Sequence, residues 1–512
     1  MLQISIDDVQ RRLEFDNPWW NKTEDEPIPY ANLPERSYFP LFCKLVGNRA
    51  VKRAVILMGP RRVGKTVMLY QVIKDLLAKG EDGRRILFLS LETPIYTGFG
   101  LEKFLGLFQE RFGHRRDTPL TVFFDEIQYL AGWEVHLKSL VDNFPSTRFV
   151  ASGSAAAALK LKSRESGAGR FTEFLLPPLT FAEYLRFVSR EDALIQTERD
   201  GSTDRPHYTT SNINALNEEF ITYLNFGGYP EAVFNEHIRK ESAQFIKSDI
   251  IDKVLLRDLP QIYGIRDIQE LNRLFTTLAY NTGNEVSLDG LSRSSGVTKT
   301  TLNRYLEYLE AAFLLRRVYR IDQNAKRFQR ATSYKVYLTN PTMRAALFGT
   351  QGLDDVAMGS LAETALFSQW FHNPAYVDNI YYARWSGGEI DLVALDQQTQ
   401  KPQWCVEVKW SDRPEKDYSL VRHLTTFRKR HKSVDACIVT TRSVSGTKSI
   451  DGMPVIFKPT SLQVYSVGKN VVRHRNVDPD VGTDELQETP AVESTPGLTR
   501  RADPSLQESL GD

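Results

Sequence analysis

Residues 59–66, GPRRVGKT, place two glycines, a lysine and a threonine at the spacing GxxxxGK[ST]. The loop follows an apolar run, AVILM, and precedes a helical pattern, VMLYQVIKDLLAKG. Between a buried strand and a helix, the N–H groups of such a loop surround phosphate oxygens, and the helix N-terminus adds positive charge. The spacing therefore predicts a nucleotide site in which Lys65 binds the β and γ phosphates and the Thr66 hydroxyl binds Mg²⁺.

The whole loop is expected to contact ATP, with Mg²⁺ as the accompanying ion. Its residues are Gly59, Pro60, Arg61, Arg62, Val63, Gly64, Lys65 and Thr66. The two glycines let the backbone approach the phosphates closely. Arg61 and Arg62 occupy variable positions of the motif, and we expect them to face solvent and add positive potential rather than to be catalytic.

An acid pair, Asp125 and Glu126, ends the apolar run TVFFDEI. In a parallel sheet the carboxyl ends of the strands meet at one edge, so the pair should lie beside the γ-phosphate. Asp125 would bind Mg²⁺, and Glu126 would polarise the attacking water. A kinase acting on a small molecule would not need the second acid, so hydrolysis is favoured. The next run ends in ASGS, where Ser154 or Ser152 would hydrogen-bond the γ-phosphate or the water.

A second set of residues lies in EIDLVALDQQTQKPQWCVEVKW, which contains Asp391, Glu407 and Lys409. Alternation puts Glu407 and Lys409 on one face of a strand, whereas the strand of Asp391 is apolar on both faces. Glu363 lies on a helix that is apolar around it, GSLAETALFSQWF. Buried carboxylates are usually paired or bind metal. The set therefore predicts either a Mg²⁺ site that cleaves nucleic acid, with the lysine orienting the attacking water, or a salt-bridged hairpin.

The elements that must position these residues begin with four short apolar runs between residues 54 and 154. The runs are AVILMG, RILFLSL, TVFFDEI and RFVASGS, separated by segments of helical periodicity. Runs of this length are typical of strands buried on both faces. The chain is therefore predicted to have an α/β fold with a parallel-sheet core of P-loop type.

Helical patterns dominate residues 213–350. Within them VSLDGLSRSSGVTKTTLNRYLEYLEAAFLLRRVYRI predicts helix, turn, helix and strand, the order of a winged helix-turn-helix. The second helix has an apolar stripe at spacings of three and four: Leu302, Tyr305, Leu306, Leu309 and Phe313. The opposite face of this helix carries polar residues that would contact a DNA groove: Lys299, Asn303 and Arg304. The alternative role of the motif is packing or oligomerisation.

Composition shifts divide the 512 residues into six parts. These are an N-terminal segment (1–37), the ATPase core (38–189), a linker or insertion (190–212), a helical and winged-helix domain (213–350), a C-terminal α/β domain (351–468) and a tail (469–512). The tail is rich in Pro, Ser, Thr and acidic residues and has no aromatic residue, so it is predicted to be disordered.

Charge and cysteine usage restrict the class of protein. The formal net charge is +1, so contact with nucleic acid or anionic lipid would have to come from a local patch. Cys43, Cys405 and Cys437 are far apart and lack CxxC spacing, which favours buried thiols in a reducing compartment over a zinc site. Because no stretch approaches 18 consecutive apolar residues, no membrane contact is predicted and the cytoplasm is the expected location.

Five segments carry, in order, a resemblance to a known family: GPRRVGKT, FFDEIQYLAGWEVHLKSLVDNFP, FVASGSAAAALK, GRFTEFLLPPLTFAEYL and YLNFGGYPEAVF. Together they resemble the bacterial and archaeal AAA-type ATPases that end in a DUF4143 domain, over about residues 38–465. The resemblance implies an ATPase core, a winged-helix region and a C-terminal domain similar to PD-(D/E)XK nucleases. The family usually has tGSS where this chain has ASGSAAA, so the second hydroxyl of that turn is missing.

The resemblance also implies roles for single residues. Glu363, Asp391, Glu407 and Lys409 match the nuclease order of helix Glu, strand Asp and ExK, with Ile390 in place of the proline. Arg170 matches an arginine position of the family and would stabilise γ-phosphate charge in cis or in trans. Its alternative is an ion pair with a local carboxylate such as Glu173.

These patterns predict a Mg²⁺-dependent ATPase of AAA type, coupled through the winged helix to a nuclease-like domain that engages DNA or another nucleic acid. The alternative is an ATP-driven switch or scaffold whose nuclease-like domain is inactive and binds protein. A homo-oligomer is compatible with either hypothesis.

Overall fold

The computed structural model describes residues 5–21, 28–30, 32–153, 169–199, 206–327 and 333–476. Ser154, one of the two predicted phosphate-sensing serines, lies outside these ranges, as do residues 477–512 of the predicted tail. Within the described ranges, every helix is too short or too polar to span a lipid bilayer.

The first sheet has five parallel strands in the order β2-β3-β4-β1-β5. The strands are β1 (Ala54–Met58), β2 (Ile86–Ser90), β3 (Thr121–Asp125), β4 (Arg148–Gly153) and β5 (Phe171–Leu175). The first four are the predicted apolar runs, so the parallel core is confirmed. The fifth was not predicted because only Phe171 and Phe174 of its five residues are buried, so its sequence lacks a continuous apolar run.

Helices cover both faces of this sheet. They are Ile6–Asp16, Phe39–Gly47, Lys65–Ala78, Leu101–Phe112, Trp133–Asn143 and Phe181–Phe187. Side chains of β1 alternate between two cores, with Ile56 in one and Leu57 in the other. Burial on both faces explains why the strands have continuous apolar sequences.

The N-terminal segment protects the edge strand β2. The Asn17 side chain is fully buried and donates to Phe88 O at 2.8 Å, while its Oδ1 accepts from Phe88 N at 2.6 Å. Trp20 Nε1 also donates to Ile86 O at 2.7 Å. Side-chain amides thus take the place of a neighbouring strand, which blocks pairing with another chain at this edge.

The predicted linker contains the helix Glu191–Leu194 and a hairpin of β6 (Gln196–Arg199) and β7 (Pro206–Thr209). Helices then follow at Ile213–Phe226, Pro230–Phe234, Glu236–Lys240, Ser242–Ile246, Leu259–Tyr263 and Ile268–Tyr280. Two π-helical turns, Lys247–Asp252 and Val254–Asp258, interrupt this series.

The predicted helix-turn-helix consists of Leu288–Ser295 and Lys299–Ala311, separated by Gly296 with a φ of +74°. The apolar stripe of the second helix is buried, except that Phe313 is only partly covered. Three strands accompany the pair: β8 (Glu285–Ser287), β9 (Leu315–Ile321) and β10 (Ser333–Leu338). Lys299 pairs with Asp289, so part of the expected polar face is bound within the motif.

A second sheet of nine strands joins the middle of the chain to its C-terminal part, in the order β15-β16-β14-β13-β12-β11-β9-β10-β8. Its remaining strands are β11 (Ile380–Trp385), β12 (Gly388–Leu395), β13 (Pro402–Glu407), β14 (Ala436–Thr441), β15 (Gly446–Ile450) and β16 (Met453–Pro459). Because β9 and β11 pair in parallel, hydrogen bonds cross the boundary predicted at residue 350.

Helices on this second sheet are Thr342–Phe348, Met358–Gln369, Pro374–Val377, Arg413–Lys416, Arg422–Arg430 and Thr460–Asn476. The last helix passes the predicted start of the tail at residue 469, and Val471 and Val472 on it are buried. Residues 469–476 therefore belong to a helix rather than to the predicted tail.

A buried ion pair holds the N-terminal segment against the ATPase core. Arg36 Nε and Nη2 donate to Glu183 at 2.8 and 2.9 Å, and both residues are at most 5% exposed. Arg36 also donates to Val63 O in the phosphate loop at 2.8 Å and to Pro177 O at 3.0 Å. Burial alone would raise the pKa of Glu183, but the Arg36 guanidinium outweighs burial and lowers the pKa to about 2.

We expect Arg36→Met to lower the free energy of unfolding by about 3–5 kcal/mol, because it leaves a buried carboxylate without its partner. The double variant Arg36→Met/Glu183→Gln should recover part of that loss. Since the pKa of Glu183 is below the ordinary 4.5, the contribution of the pair is present above that pH and is lost as pH falls toward 2. Urea unfolding across this pH range measures both effects. A Glu183→Gln variant with an unchanged pH profile would contradict the assignment.

Candidate nucleotide site and carboxylate cluster

The phosphate loop connects β1 to the helix Lys65–Ala78, as its sequence requires. Gly64 precedes the helix with a φ of +93°, which favours glycine. At Gly59 an added Cβ would lie 2.2 Å from Leu176 O, so no side chain fits there. The motif thus needs its two glycines for different reasons. Gly64 provides a backbone conformation that favours glycine, and Gly59 leaves no room for a side chain.

Lys65 lies within the loop and is 4% exposed. Its Nζ donates to Gly59 O at 3.1 Å and to Pro60 O at 2.8 Å. Burial lowers the pKa of Lys65, in opposition to the nearby Glu126 and Asp125 carboxylates. The ammonium is therefore positioned inside the loop by carbonyl oxygens, which phosphate oxygens can replace.

A chain of hydrogen bonds joins the loop to the acid pair. Thr66 Oγ1 donates to Asp125 Oδ2 at 2.9 Å, and Ser152 Oγ donates to Asp125 Oδ1. Glu126 N in turn donates to Ser152 Oγ at 3.1 Å. Burial and the adjacent Glu126 raise the pKa of Asp125 to about 6. The carboxyl ends of β3 and β4 therefore meet the phosphate loop, as the parallel sheet predicted.

This donor set fits Mg²⁺ bound together with a nucleotide. The Thr66 hydroxyl and the Asp125 carboxylate offer adjacent oxygen atoms, and in such sites phosphates and waters complete the coordination. A cation there would also offset the charge of Asp125, which is 2% exposed.

Glu126 begins a new turn directly after β3. Its backbone has a φ of +53°, a left-handed conformation that is uncommon for a residue with a side chain. Gln128 Nε2 donates to its carboxylate. The Glu126 side chain therefore has an amide partner, whereas Asp125 is bound by hydroxyl groups.

Of the two candidate serines, Ser152 is fully buried and its hydroxyl is shared between Asp125 and Glu126. It orients the acid pair, so the γ-phosphate role falls to Ser154, which lies outside the described residues and stays a prediction. Sequence could not separate the two, because they flank Gly153 in the stretch ASGS.

Arg170 lies at the opposite edge of the sheet. Ala54, the first residue of β1, donates its N–H to Arg170 O at 2.9 Å, whereas the phosphate loop follows the last residue of β1. The Arg170 guanidinium pairs with the carboxylate of Asp142 at 2.5 Å. These contacts place Arg170 away from the phosphate loop of the same chain, and its catalytic role, in cis or in trans, stays a prediction.

Arg61 and Arg62 contact the helical region rather than facing solvent alone, which corrects the expectation. Arg61 makes two hydrogen bonds to Asp258, at 2.8 and 3.0 Å, and both side chains are 12% exposed. Arg62 pairs with Asp249 at 2.6 Å and with Glu231 at 3.0 Å. The sequence had no local signal for these pairs, since the partners lie far along the chain.

The C-terminal acids surround a lysine that the sequence did not single out. Lys335 of β10 is 4% exposed, and its Nζ lies 2.8 Å from Glu363, 2.9 Å from Asp391 and 3.1 Å from Glu389. Tyr337 Oη also donates to Glu363 at 2.5 Å. Burial and the nearby Asp391 raise the pKa of Glu363 to about 7. We call these residues the carboxylate cluster.

Glu407 and Lys409 form a neighbouring pair. Lys409 Nζ donates to Glu407 Oε1 at 2.6 Å, and His423 Nε2 lies 3.1 Å from Glu407 Oε2. Alternation along β13 is as predicted, with Val406 in one core and Cys405 in the other. The same register places Cys405 Sγ 3.3 Å from Cys437 Sγ, so two thiols that are distant in sequence are adjacent and buried.

These residues do not fit the predicted metal. An ammonium group lies between the carboxylates of Glu363 and Asp391, where a nuclease would hold Mg²⁺, and it offsets their charge. Among the described residues there is also no group of three or more His, Cys, Asp or Glu arranged to hold a metal ion. The four predicted residues lie close together, but as an ion-pair network.

Comparison with known families supports the first site. Residues 51–185 match the model of an AAA domain, and residues 217–354 match the model of a domain of unknown function (DUF8612). The first match, with the parallel sheet and the phosphate loop, supports a nucleotide-binding ATPase. The second covers most of the helical region, and the DUF4143 name predicted for the C-terminal part is not confirmed by these matches.

Two relatives are each 25% identical to this chain over the aligned residues. An uncharacterized protein of Haemophilus influenzae is 25% identical over 345 residues, 66% of this chain and 78% of that protein. The uncharacterized protein MJ1637 of Methanocaldococcus jannaschii is 25% identical over 324 residues, 61% of this chain and 66% of that protein.

Solved structures are more distant. AMPPCP-bound DnaA from Aquifex aeolicus is 11% identical, with a TM-score of 0.29 and coverage of 56% of this chain and 92% of that chain. RuvB of Thermotoga maritima is 16% identical, with a TM-score of 0.26 and coverage of 55% and 87%. With TM-scores this low, the similarity to these two structures does not indicate a function.

Proposed function

We propose that this protein is a Mg²⁺-dependent ATPase of AAA type that works as a nucleotide-driven switch. The observation that carries the proposal is the continuous set of contacts from the phosphate loop through Thr66 and Asp125 to Ser152 and Glu126. Each residue in that set has the chemistry that hydrolysis of a phosphoanhydride requires.

The proposed roles follow from position. Lys65 binds the β and γ phosphates, and Thr66 and Asp125 hold Mg²⁺, which neutralises charge on the phosphate oxygens. Glu126 lies one residue beyond Asp125 and orients the attacking water. A kinase would instead exclude water and bind an acceptor, for which the second carboxylate is not needed.

We expect Lys65→Ala to abolish ATP turnover, because the loop loses its only buried ammonium among the described residues. Glu126→Gln should still bind ATP but release phosphate about 100-fold more slowly, the usual effect of losing a general base. Phosphate release in the absence of any acceptor molecule measures the activity of both variants. Arg115→Ala is the control, because the Arg115 side chain is 85% exposed. Normal phosphate release by Lys65→Ala would exclude the proposed ATPase site.

Coupling to the rest of the chain is proposed to run through Arg61 and Arg62. Both arginines lie inside the phosphate loop, and their partners Asp258, Asp249 and Glu231 lie in the helical region. Two of those partners are in the π-helical turns, which are often found at functional sites. Phosphate groups in the loop would compete with these carboxylates for the guanidinium groups, so ATP binding would loosen the helical region.

Asp258→Asn should therefore tighten ATP binding, by roughly threefold to tenfold, because Arg61 is then free to contact phosphate. Hydrogen exchange should also become faster over residues 247–263. Asp252→Asn is the matched control, since its pair with Lys247 lies in the same turns and does not touch the loop. Equal ATP affinity in both variants would show that the ion pair does not transmit nucleotide state.

For the C-terminal part we propose the inactive, nuclease-like switch or scaffold rather than an active nuclease. Glu363 lies on the helix Met358–Gln369, Asp391 on β12 and Glu407 on β13, which agrees with the order of helix Glu, strand Asp and ExK that the resemblance implies. Lys335 favours inactivity, because its charge already balances the carboxylate cluster.

The test is incubation of the full chain with single- and double-stranded DNA and Mg²⁺, with and without ATP. We expect no cleavage of either DNA. In a separate unfolding measurement, Lys335→Met should lower the free energy of unfolding by about 3–5 kcal/mol, because it leaves the carboxylates of Glu363 and Asp391 unpaired. Cleavage that disappears in Asp391→Ala would restore the nuclease hypothesis. Salt-dependent DNA binding without cleavage would instead identify nucleic acid, not protein, as the partner of the inactive domain.

A further inference from the structure

A cleft opens at the amino-terminal edge of the first sheet, between the start of β1 and the start of β4. Residues that line it include Arg49, Lys52, Arg53, Phe144, Thr147 and Arg148. The phosphate loop leaves β1 at the other end of that strand, so this cleft and the nucleotide site are separated by the length of the sheet.

The lining is strongly basic. Four of its residues are cationic, and none of the described residues that line the cleft is acidic. Two carboxylates are already bound: Glu81 accepts from the lining residue Arg49 at 2.9 Å, and Asp142, next in sequence to the lining residue Val141, pairs with Arg170. Lys52, Arg53 and Arg148 therefore give the cleft an excess of positive charge.

Arg148 forms the inner wall and is only 5% exposed. Its Nη1 donates to Arg53 O at 2.6 Å, which fixes the guanidinium plane. Its Nε and Nη2 are buried and have no hydrogen-bond partner among the described residues, and the same holds for the neighbouring Thr147 Oγ1. Nε and Nη2 form the side of a guanidinium that binds two oxygens of one carboxylate or phosphate group.

A buried guanidinium with two unpaired nitrogen atoms is costly, because each lost hydrogen bond to water is not replaced. Burial and the nearby Arg49 also lower the pKa of Arg148. A lowered pKa is the effect expected for a buried guanidinium that lacks a counter-charge. One group that accepts from both nitrogens and carries negative charge would remove both costs.

We propose that this cleft binds a small oxyanion of the phosphate type. Arg148 binds two of its oxygens through Nε and Nη2, Thr147 Oγ1 donates to it, and the exposed Lys52 and Arg53 hold it from the rim. A phosphate-type anion suits three cations that have no carboxylate partner among the described residues better than a carboxylate with a single charge. This site is independent of the ATPase chemistry proposed above.

The test uses inorganic phosphate and the full chain carrying Lys65→Ala, which weakens phosphate binding at the nucleotide loop. Hydrogen exchange should slow over residues 49–53 and 144–149 as phosphate is added. Adding Arg148→Lys keeps the charge but removes the two-nitrogen face, so the apparent Kd for this effect should rise about tenfold.

Lys52→Gln provides a second variant at an exposed position, in case Arg148→Lys fails to fold, and it should also weaken phosphate binding. Lys138→Gln, an exposed lysine on the helix Trp133–Asn143 outside the cleft, is the control and should bind phosphate as the parent does. Protection confined to residues 59–66, equal phosphate affinity in all variants, or equal protection by acetate would overturn the proposal.

Discussion

The position of the phosphate loop depends on one buried contact, the ion pair between Arg36 and Glu183. Two charges cannot remain in an apolar interior unless they are paired and their other hydrogen-bonding groups are satisfied. Arg36 meets this requirement by donating to Glu183, Val63 O and Pro177 O together. The N-terminal segment, the loop and the strand-to-helix connection after β5 are thereby held in one arrangement, and the nucleotide site is built on it.

The same requirement explains what differs between the two candidate sites. Around Asp125 the partners are neutral hydroxyl groups, Thr66 and Ser152, which leave the carboxylate charge free to hold a cation. Around Asp391 the partner is Lys335, whose own charge takes that role. Buried strand carboxylates thus have opposite capacities for metal at the two sites, because different side chains are placed beside them.

The parts of the chain are joined by backbone hydrogen bonds between strands as well as by ion pairs. The pairing of β9 with β11 makes the strands beside the helix-turn-helix and the C-terminal strands one sheet. Lys335 reinforces this junction, since it reaches from β10 to acids on β12 and on the helix Met358–Gln369. The phosphate loop contacts the helical region through Arg61 and Asp258. A change at the loop therefore has a continuous physical route to the C-terminal sheet.

The sequence by itself determined the parallel core, the phosphate loop, the acid pair and the alternation of β13, because each depends on residues that are neighbours in the chain. It missed β5, the extent of the last helix, and the partners of Arg61, Arg170 and Asp391. Only the tertiary structure decided those, since Lys335 lies 28 residues from Glu363 and 56 from Asp391, and no local pattern records which charges meet across such distances.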